Sequence, residues 1–522
     1  MPTNLFIQQA INWYKESKSE ECYLFLQPKP KPQQHLMTEP TLKHQTTVSL
    51  FWSFLDKFGQ QLIYLGSSIV LMRILDPSEY GLIGALAVFI AFSTLLIDSG
   101  FTRALLNRKQ ISPEEYSTVF YFNLAISGIL YLLLFAMAPF LAQLFHEPRI
   151  APIARILFLS LVLNAGGMIQ QTLLTKKADF RGLTRLNIGA QVIAVAASIV
   201  MAVNGFGVWS LVTQTVLYAL FRTLFLWIYS KWIPLQVFSI KLLRTFTGLS
   251  NKLLLTSLIS AVFNNIYPSI IAFFYPNAMK QVGYYSQANK YQEIPFGILS
   301  NTYRQVSMLV LPEIHEQTER TKRVVSKMIK SLAFLSFPIG FLMILIAEPA
   351  FVFLFKDKWL PAVPYFQVLC LAGMVSPFAF VLNELFIARE KANYFLGVEI
   401  IRRGILVLLI ALLFRYGIMG LAASWVIYTW ITLIISLVLT RKLIGYTLTN
   451  FVKDAFPYAI LAFVSVAAGY FITLHIDENL PFLLVNMFVS GLLYLLLCGM
   501  CKLEMTREIK QWLFKKEYEK NN

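Results

Sequence analysis

The sequence predicts an all-α polytopic membrane protein: about fourteen transmembrane helices, as two pseudo-symmetric six-helix lobes plus two extra C-terminal helices. Three observations predict this. The chain of 522 residues is 57% hydrophobic with a mean hydropathy of +0.60, too apolar for a soluble protein of that length. Fourteen apolar stretches fill the region from Ser49 to Lys502, with no soluble domain between them. The first six and the next six of these stretches share short motifs at a nearly constant offset.

A hydrocarbon core of roughly 30 Å takes about 20 apolar residues as α-helix. The expected spans are 50–72, 81–102, 117–141, 153–174, 185–204, 208–230, 250–275, 287–311, 329–350, 362–386, 393–413, 418–439, 455–474 and 480–501. Three of them, 50–72, 250–275 and 287–311, are polar for membrane helices. Lys and Arg concentrate in loops kept in the cytoplasm. With both termini inside, the inner loops and tail hold 29 Lys and Arg and the outer loops hold 8. Topology therefore accounts for most of the net charge of +17. A nucleic-acid partner is not expected, because no basic soluble domain or recognition motif is present.

The expected organisation is a disordered extension and lead-in (1–48), an N-lobe (49–231), an inter-lobe linker (232–249), a C-lobe (250–440), a final helix pair (453–502) and a basic tail (503–522). Residues 1–36 carry the Pro28-Lys29-Pro30-Lys31-Pro32 run and no signal-peptide core, and Met37 offers an alternative start. In the tail, Ile509, Trp512, Leu513, Lys515 and Lys516 fit either a basic amphipathic helix on the inner leaflet or a solvated end. Cys498 and Cys501 have Cys-x-x-Cys spacing but no His nearby, so they read as two buried thiols and not as a metal site.

The repeat rests on three matches in order. Pro139–Phe145 resembles Pro349–Phe355 at an offset of 210, Lys177–Phe180 resembles Lys391–Tyr394 at 214, and the turn at Gly205 resembles that at Gly417 at 212. Six crossings return the chain to its starting side, so the lobes share one orientation and are related by an axis along the membrane normal.

Polar residues within spans mark candidate function, because an ionised group at mid-bilayer costs at least about 2.5–3.5 kcal/mol. The eighth span places Ser286, Lys290, Glu293, Gly297, Ser300, Asn301 and Arg304 on one helical face. The first repeats the pattern with Ser53, Lys57, Gln60, Tyr64 and Ser67; the seventh has Ser257, Ser260 and Asn264; Arg222 lies in the sixth. Such helices are stable only facing protein or water. A water-filled cavity between the lobes is expected, biased toward cations and lined by Lys57, Gln60, Tyr64, Arg222, Asn264, Lys290, Glu293, Asn301 and Arg304. Asp98, Glu384 and Glu399 are candidates for a coupling-ion site or simple counter-ions. Asp56 reads as a local partner, and Pro268, Pro295, Pro338 and Pro377 as interruptions of C-lobe helices. No catalytic or metal constellation and no cofactor is expected.

The residues resemble a known family across about 45–500. The opening Phe51-Trp52-Ser53-Phe54-Leu55-Asp56-Lys57-Phe58-Gly59-Gln60-Gln61, the run Arg73–Gly81, the block Asp98-Ser99-Gly100-Phe101, the run Tyr116–Asn123 and the turn Gly207–Val212 carry the likeness. Together they are similar to the polysaccharide-exporter branch (Wzx-type, O-antigen and colanic-acid-like) of the MOP flippase superfamily. The resemblance implies a flippase of the bacterial inner membrane. It would move undecaprenyl-pyrophosphate-linked oligosaccharide by alternating access, driven by a proton or sodium gradient, with a polysaccharide polymerase and chain-length machinery as further partners. It also places basic residues of the first and eighth helices near the head group, at positions held here by Lys57, Lys290 and Arg304. Two rival readings are a MATE-type multidrug exporter, which would favour an anionic cavity, and a membrane glycan polymerase or glycosyltransferase, which would need a large outer loop. A lipid II flippase would be a close relative.

Overall fold

The computed structural model describes residues 39–98, 101–108, 111–244, 247–314, 316–388, 392–508 and 510–511. The expected N-terminal extension with Met37, and most of the expected tail helix, including Ile509 and Trp512, lie outside these residues. Among the described residues the chain is helical, with no strand.

The N-lobe comprises α1 (Glu39–Ile74), α2 (Pro77–Asp98), α3 (Phe101–Asn107), α4 (Pro113–Leu144), α5 (Ile150–Leu157), α6 (Leu159–Lys176), α7 (Phe180–Val203) and α8 (Val208–Ser230). After the short α9 (Ile240–Arg244) come α10 (Thr247–Phe274), α11 (Met279–Ile314), α12 (Thr318–Leu345), α13 (Ala347–Phe355), α14 (Val363–Gly373), α15 (Ser376–Ala388), α16 (Ala392–Leu413) and α17 (Gly417–Ile444). The last pair is α18 (Leu448–Thr473) and α19 (Asn479–Met500), with α18 packed on α12.

Helices coincide with all fourteen expected spans. Eleven continuous stretches are long and apolar enough to cross a bilayer, one of which, Gly397–Ile444, holds two helices. The helices at 50–72 and 287–311 fall short because polar residues interrupt them. Two expected spans are each built from two helices, at Phe158 and at 374–375. Pro377 is therefore the second residue of α15, a first-turn position where its missing N–H costs nothing. Pro268, Pro295 and Pro338 do lie inside helices.

Local chemistry sets several starts. Ser112 and Glu115 form a capping box at α4, each side chain bonding the other's backbone N–H, with Pro113 at the first helical position. Asp179 caps α7 by accepting from the Gly182 N–H at 2.8 Å and also takes the Tyr229 hydroxyl.

The duplication is visible in the backbone. α4 and α13 end at the matched motifs, followed by left-handed residues at the same offset, His146 (φ 53) and Lys356 (φ 67). Gly205 (φ 80) and Gly417 (φ 75), both turn glycines, also adopt the left-handed region that glycine tolerates best. Two expectations are corrected. Arg402 and Arg403, grouped with an inner loop, are buried on α16 at 2% and 8% exposure; the basic excess on that side survives without them. Cys501 is exposed, and only Cys498 of the pair is buried.

Candidate functional site

The lobes meet through α2 against α10 and α11, and through α1 against α13. These contacts lie at the end that the charge pattern assigns to the outside. There Gly81 and Gly283 let α2 and α11 approach so closely that a Cβ on either would overlap the carbonyl of Met279 or Pro77. The Ser269 hydroxyl donates to the Ala85 carbonyl at 2.8 Å across the same seam.

A reciprocal latch closes this end. The last carbonyls of a helix lack intrahelical donors. Those of α1 accept from C-lobe donors: Lys358 Nζ reaches Leu75 O at 2.6 Å and Arg73 O at 3.1 Å, and buried Trp359 Nε1 reaches Met72 O at 2.9 Å. In return Arg73 Nε donates to Leu354 O near the end of α13 at 2.8 Å. Asp76 faces Lys280 at 3.4 Å. Burial opposes the Asp76 charge, but the Ser78 hydrogen bonds and the Lys280 ammonium prevail and hold its carboxyl below the ordinary range.

Behind the latch lies a cavity of about 500 Å³ between the lobes. The N-lobe contributes Tyr64, Tyr80, Gln191, Gln214 and Tyr218; the C-lobe contributes Asn264, Asn265, Tyr267, Asn289, Lys290 and Glu293. One ammonium and one carboxylate therefore stand in a wall of phenols and amides. Lys290 Nζ lies 4.2 Å from the Tyr64 ring centroid, a cation–π contact from one lobe to the other. The Tyr80 and Ser286 hydroxyls and the Gln287 carbonyl oxygen, all on lining residues, are buried with no protein partner among the described residues. Such atoms call for ligand or water.

Of the sequence-predicted residues, Tyr64, Asn264, Lys290 and Glu293 line this cavity. Gln60 and Arg222 stand one step behind it in an N-lobe knot. Tyr218, itself on the wall, donates to Gln60 Oε1 at 3.1 Å, and Gln60 Nε2 donates to Asp56 Oδ1 at 2.9 Å. Asn187 donates to the same carboxylate at 3.2 Å and accepts from Arg222 Nε at 3.0 Å, while Arg222 also bonds Gln171. Lys57 and Asn301 are exposed, further from the latch on α1 and α11.

The remaining charges are paired elsewhere. Arg304 meets Glu384 at 3.6 Å and lies over the Phe380 ring, off the cavity wall. Glu399 is held by Arg403 at 2.6 Å and Arg402 at 3.8 Å. Arg402 also donates to Ser436 at 2.8 Å and Asn383 at 3.2 Å, and Arg403 reaches Ser260 and Asn264. Asp98 does not line the cavity, so the three candidate coupling carboxylates do not converge. This C-lobe knot mirrors the N-lobe one: Gln171 matches Asn383 and Asn187 matches Glu399 at 212, while Asp56 matches Ser260 and Gln60 matches Asn264 at 204.

Of the wall's tyrosines and amides, sequence reasoning named Tyr64 and Asn264 and missed the rest, among them Tyr80, Gln191, Gln214, Tyr218 and Tyr267. Their signal was present on the sixth span, where Gln214, Tyr218 and Arg222 recur every four residues on one face.

A family model described as polysaccharide biosynthesis protein matches residues 70–364, more than half of the chain. The chain belongs to this family. Among its relatives, the succinoglycan biosynthesis transport protein ExoT of Rhizobium meliloti is 27% identical over 340 residues, covering 65% of this chain and 68% of ExoT. An uncharacterized membrane protein in the cps region of Klebsiella pneumoniae is 21% identical over 481 residues, 90% of this chain and 98% of the relative. The lipopolysaccharide biosynthesis protein WzxC of Escherichia coli is 21% identical over 359 residues, 68% and 72% of the two chains. Among solved structures, the lipid II flippase MurJ in an inward closed conformation superposes with a TM-score of 0.70 at 15% identity, covering 86% of this chain and 98% of MurJ. An inward-facing multidrug resistance MATE transporter gives 0.60 at 16%, covering 74% and 94%. These likenesses show that the chain shares its two-lobe fold with MurJ and that MATE transporter.

Proposed function

We propose that the protein is a flippase that carries undecaprenyl-pyrophosphate-linked oligosaccharide across the bacterial inner membrane by alternating access, for surface polysaccharide assembly. The observation that carries this reading is the inter-lobe cavity, sealed at one end and walled by tyrosine and amide side chains with unpartnered polar atoms. Such a wall offers a glycan both ring faces and hydrogen bonds. Lys290 supplies the cation a phosphate needs, with Lys57 along the approach from the opposite end. The prenyl chain stays in lipid at the gap between lobes.

Similarity to ExoT, a succinoglycan biosynthesis transport protein, and to WzxC, a lipopolysaccharide biosynthesis protein, supports the substrate class. The chain acts in transport and not catalysis, with both termini cytoplasmic and with a proton or sodium gradient as the driving force. The polymerase and chain-length machinery that extend the translocated unit would be its neighbours. A multidrug reading is disfavoured by the wall, where a single carboxylate, Glu293, shares the cavity with an ammonium.

The test is a strain lacking the protein and complemented with Lys290→Ala. Surface polysaccharide should be lost and lipid-linked precursor should accumulate on the inner leaflet, with the variant still inserted. Normal export would reject the assignment.

A further inference from the structure

The linker that leaves α8 carries a surface that neither water nor the hydrocarbon core suits. Lys231 turns left-handed (φ 51) and ends the helix, and the next eight residues are non-helical. Within them Ile233 is 77% exposed and Phe238 52%, with Leu235 and Val237 also exposed. Ile240, at the start of α9, is 62% exposed. The segment is pinned in place: the Leu235 N–H donates to buried Ser117 Oγ at 2.9 Å, and Trp232 packs edge-on to Phe120 at 5.7 Å. Its apolar side chains are therefore held outward and cannot fold back onto the lobe.

Two physical demands locate this face. Non-helical backbone does not lie in lipid hydrocarbon, because its amides need partners, and those of Ile233, Gln236 and Phe238 have none among the described residues. Five exposed apolar side chains within eight residues likewise do not persist in water. The layer that satisfies both is the head-group region, where apolar side chains dip toward the acyl chains and free amides meet phosphate, ester and water. Exposed Lys231 and Lys241 bracket the segment, with exposed Arg181 and Arg185 near the inner start of α7. The lipid-facing flank of α8 runs straight into it through Ile228, beside a groove between α7 and α8 that ends at Lys231.

We propose that residues 231–241 are an interfacial anchor that docks on anionic phospholipid of the bilayer and fixes the start of the inter-lobe linker at the membrane surface. Only the identity of the leaflet, the inner one, rests on the proposed orientation. Each lysine near an anionic surface is worth roughly a fivefold preference over zwitterionic lipid.

The test uses the full chain with its four cysteines replaced, Ile233→Cys or Phe238→Cys labelled with bimane, in nanodiscs of phosphatidylcholine with or without phosphatidylglycerol. Head-group nitroxide lipid should quench both probes strongly and aqueous iodide weakly. Phosphatidylglycerol should deepen the lipid quenching, and Lys231→Gln with Lys241→Gln should remove that gain. Strong iodide quenching without lipid quenching overturns the anchor. Shielding from both quenchers also overturns it, by showing that protein covers the face. An undiminished phosphatidylglycerol response in the double variant overturns the anionic preference. None of these readouts depends on transport, so the anchor and the flippase reading fail separately.

Discussion

Lys358→Met should loosen the sealed end of the cavity while leaving the lobes folded. The lysine belongs to the C-lobe, and its two acceptors, Leu75 O and Arg73 O, end the first N-lobe helix. Both bonds exist only while that end is shut, so their loss is a differential term between the two conformations. A charge-assisted hydrogen bond contributes about 1.5–3 kcal/mol when well shielded. Lys358 is half-buried, so the pair together is worth about 2 kcal/mol, a shift of about 30-fold toward opening. The assay is labelling of Gln287→Cys on the cavity wall by an impermeant maleimide added outside intact cells. The parent should label slowly and the Lys358→Met variant tens of times faster, at equal membrane insertion. Equal rates would refute the latch. A rise seen only with Trp359→Phe would place the closure on the indole bond and not on the ammonium.

Asp76 gives a pH dependence with a defined sign. Its carboxyl is held below the ordinary value in the closed form, so its contribution is complete above about pH 4 and is lost as pH falls through the lowered value. Labelling of the same cysteine should be flat around neutrality and rise only in acid; a rise near neutrality would contradict this. Arg304→Ala should act through stability and not substrate contact, because it removes the guanidinium that faces buried Glu384 at 3.6 Å. Adding Glu384→Ala should restore much of the melting temperature, whereas no restoration would return Arg304 to the list of substrate contacts. Gly283→Ala should force α11 off the Pro77 carbonyl, costing about 1–3 kcal/mol and increasing cavity labelling. Unchanged labelling would show that the close approach is not needed for closure.

The helices and their repeat were legible because both follow from local pattern: runs of apolar residues, and motifs at fixed offsets such as Gly205 with Gly417. The polar stretches 50–72, 250–275 and 287–311 belong to three of the helices that line the cavity. Which cations reach the cavity was not legible. Arg304 and Glu384 are 80 residues apart in sequence, and Arg222 is absorbed by Gln171 and Asn187 from two other helices. Pairing of that kind is decided by packing, which periodicity does not encode. The expected positive bias of the vestibule therefore gives way to a wall whose charges are one Lys and one Glu. Arg402 and Arg403 were misplaced for a related reason: a Glu-Ile-Ile-Arg-Arg run reads as a charged boundary until Glu399 is seen to pair with both arginines from within the same helix.

The pairing of guanidinium groups has a mechanical consequence. Arg222 finds its partners on α6 and α7; Arg402 and Arg403 find theirs on α10, α15, α16 and α17; and Arg304 meets α15. Every one of these partnerships stays inside a single half of the molecule. When the halves swing apart these buried pairs stay intact, and the resistance to motion reduces to seam contacts, the Asp76–Lys280 pair and a handful of bonds at the helix tips. Each half can thus travel as a stiff unit, with its buried charges undisturbed by the stroke.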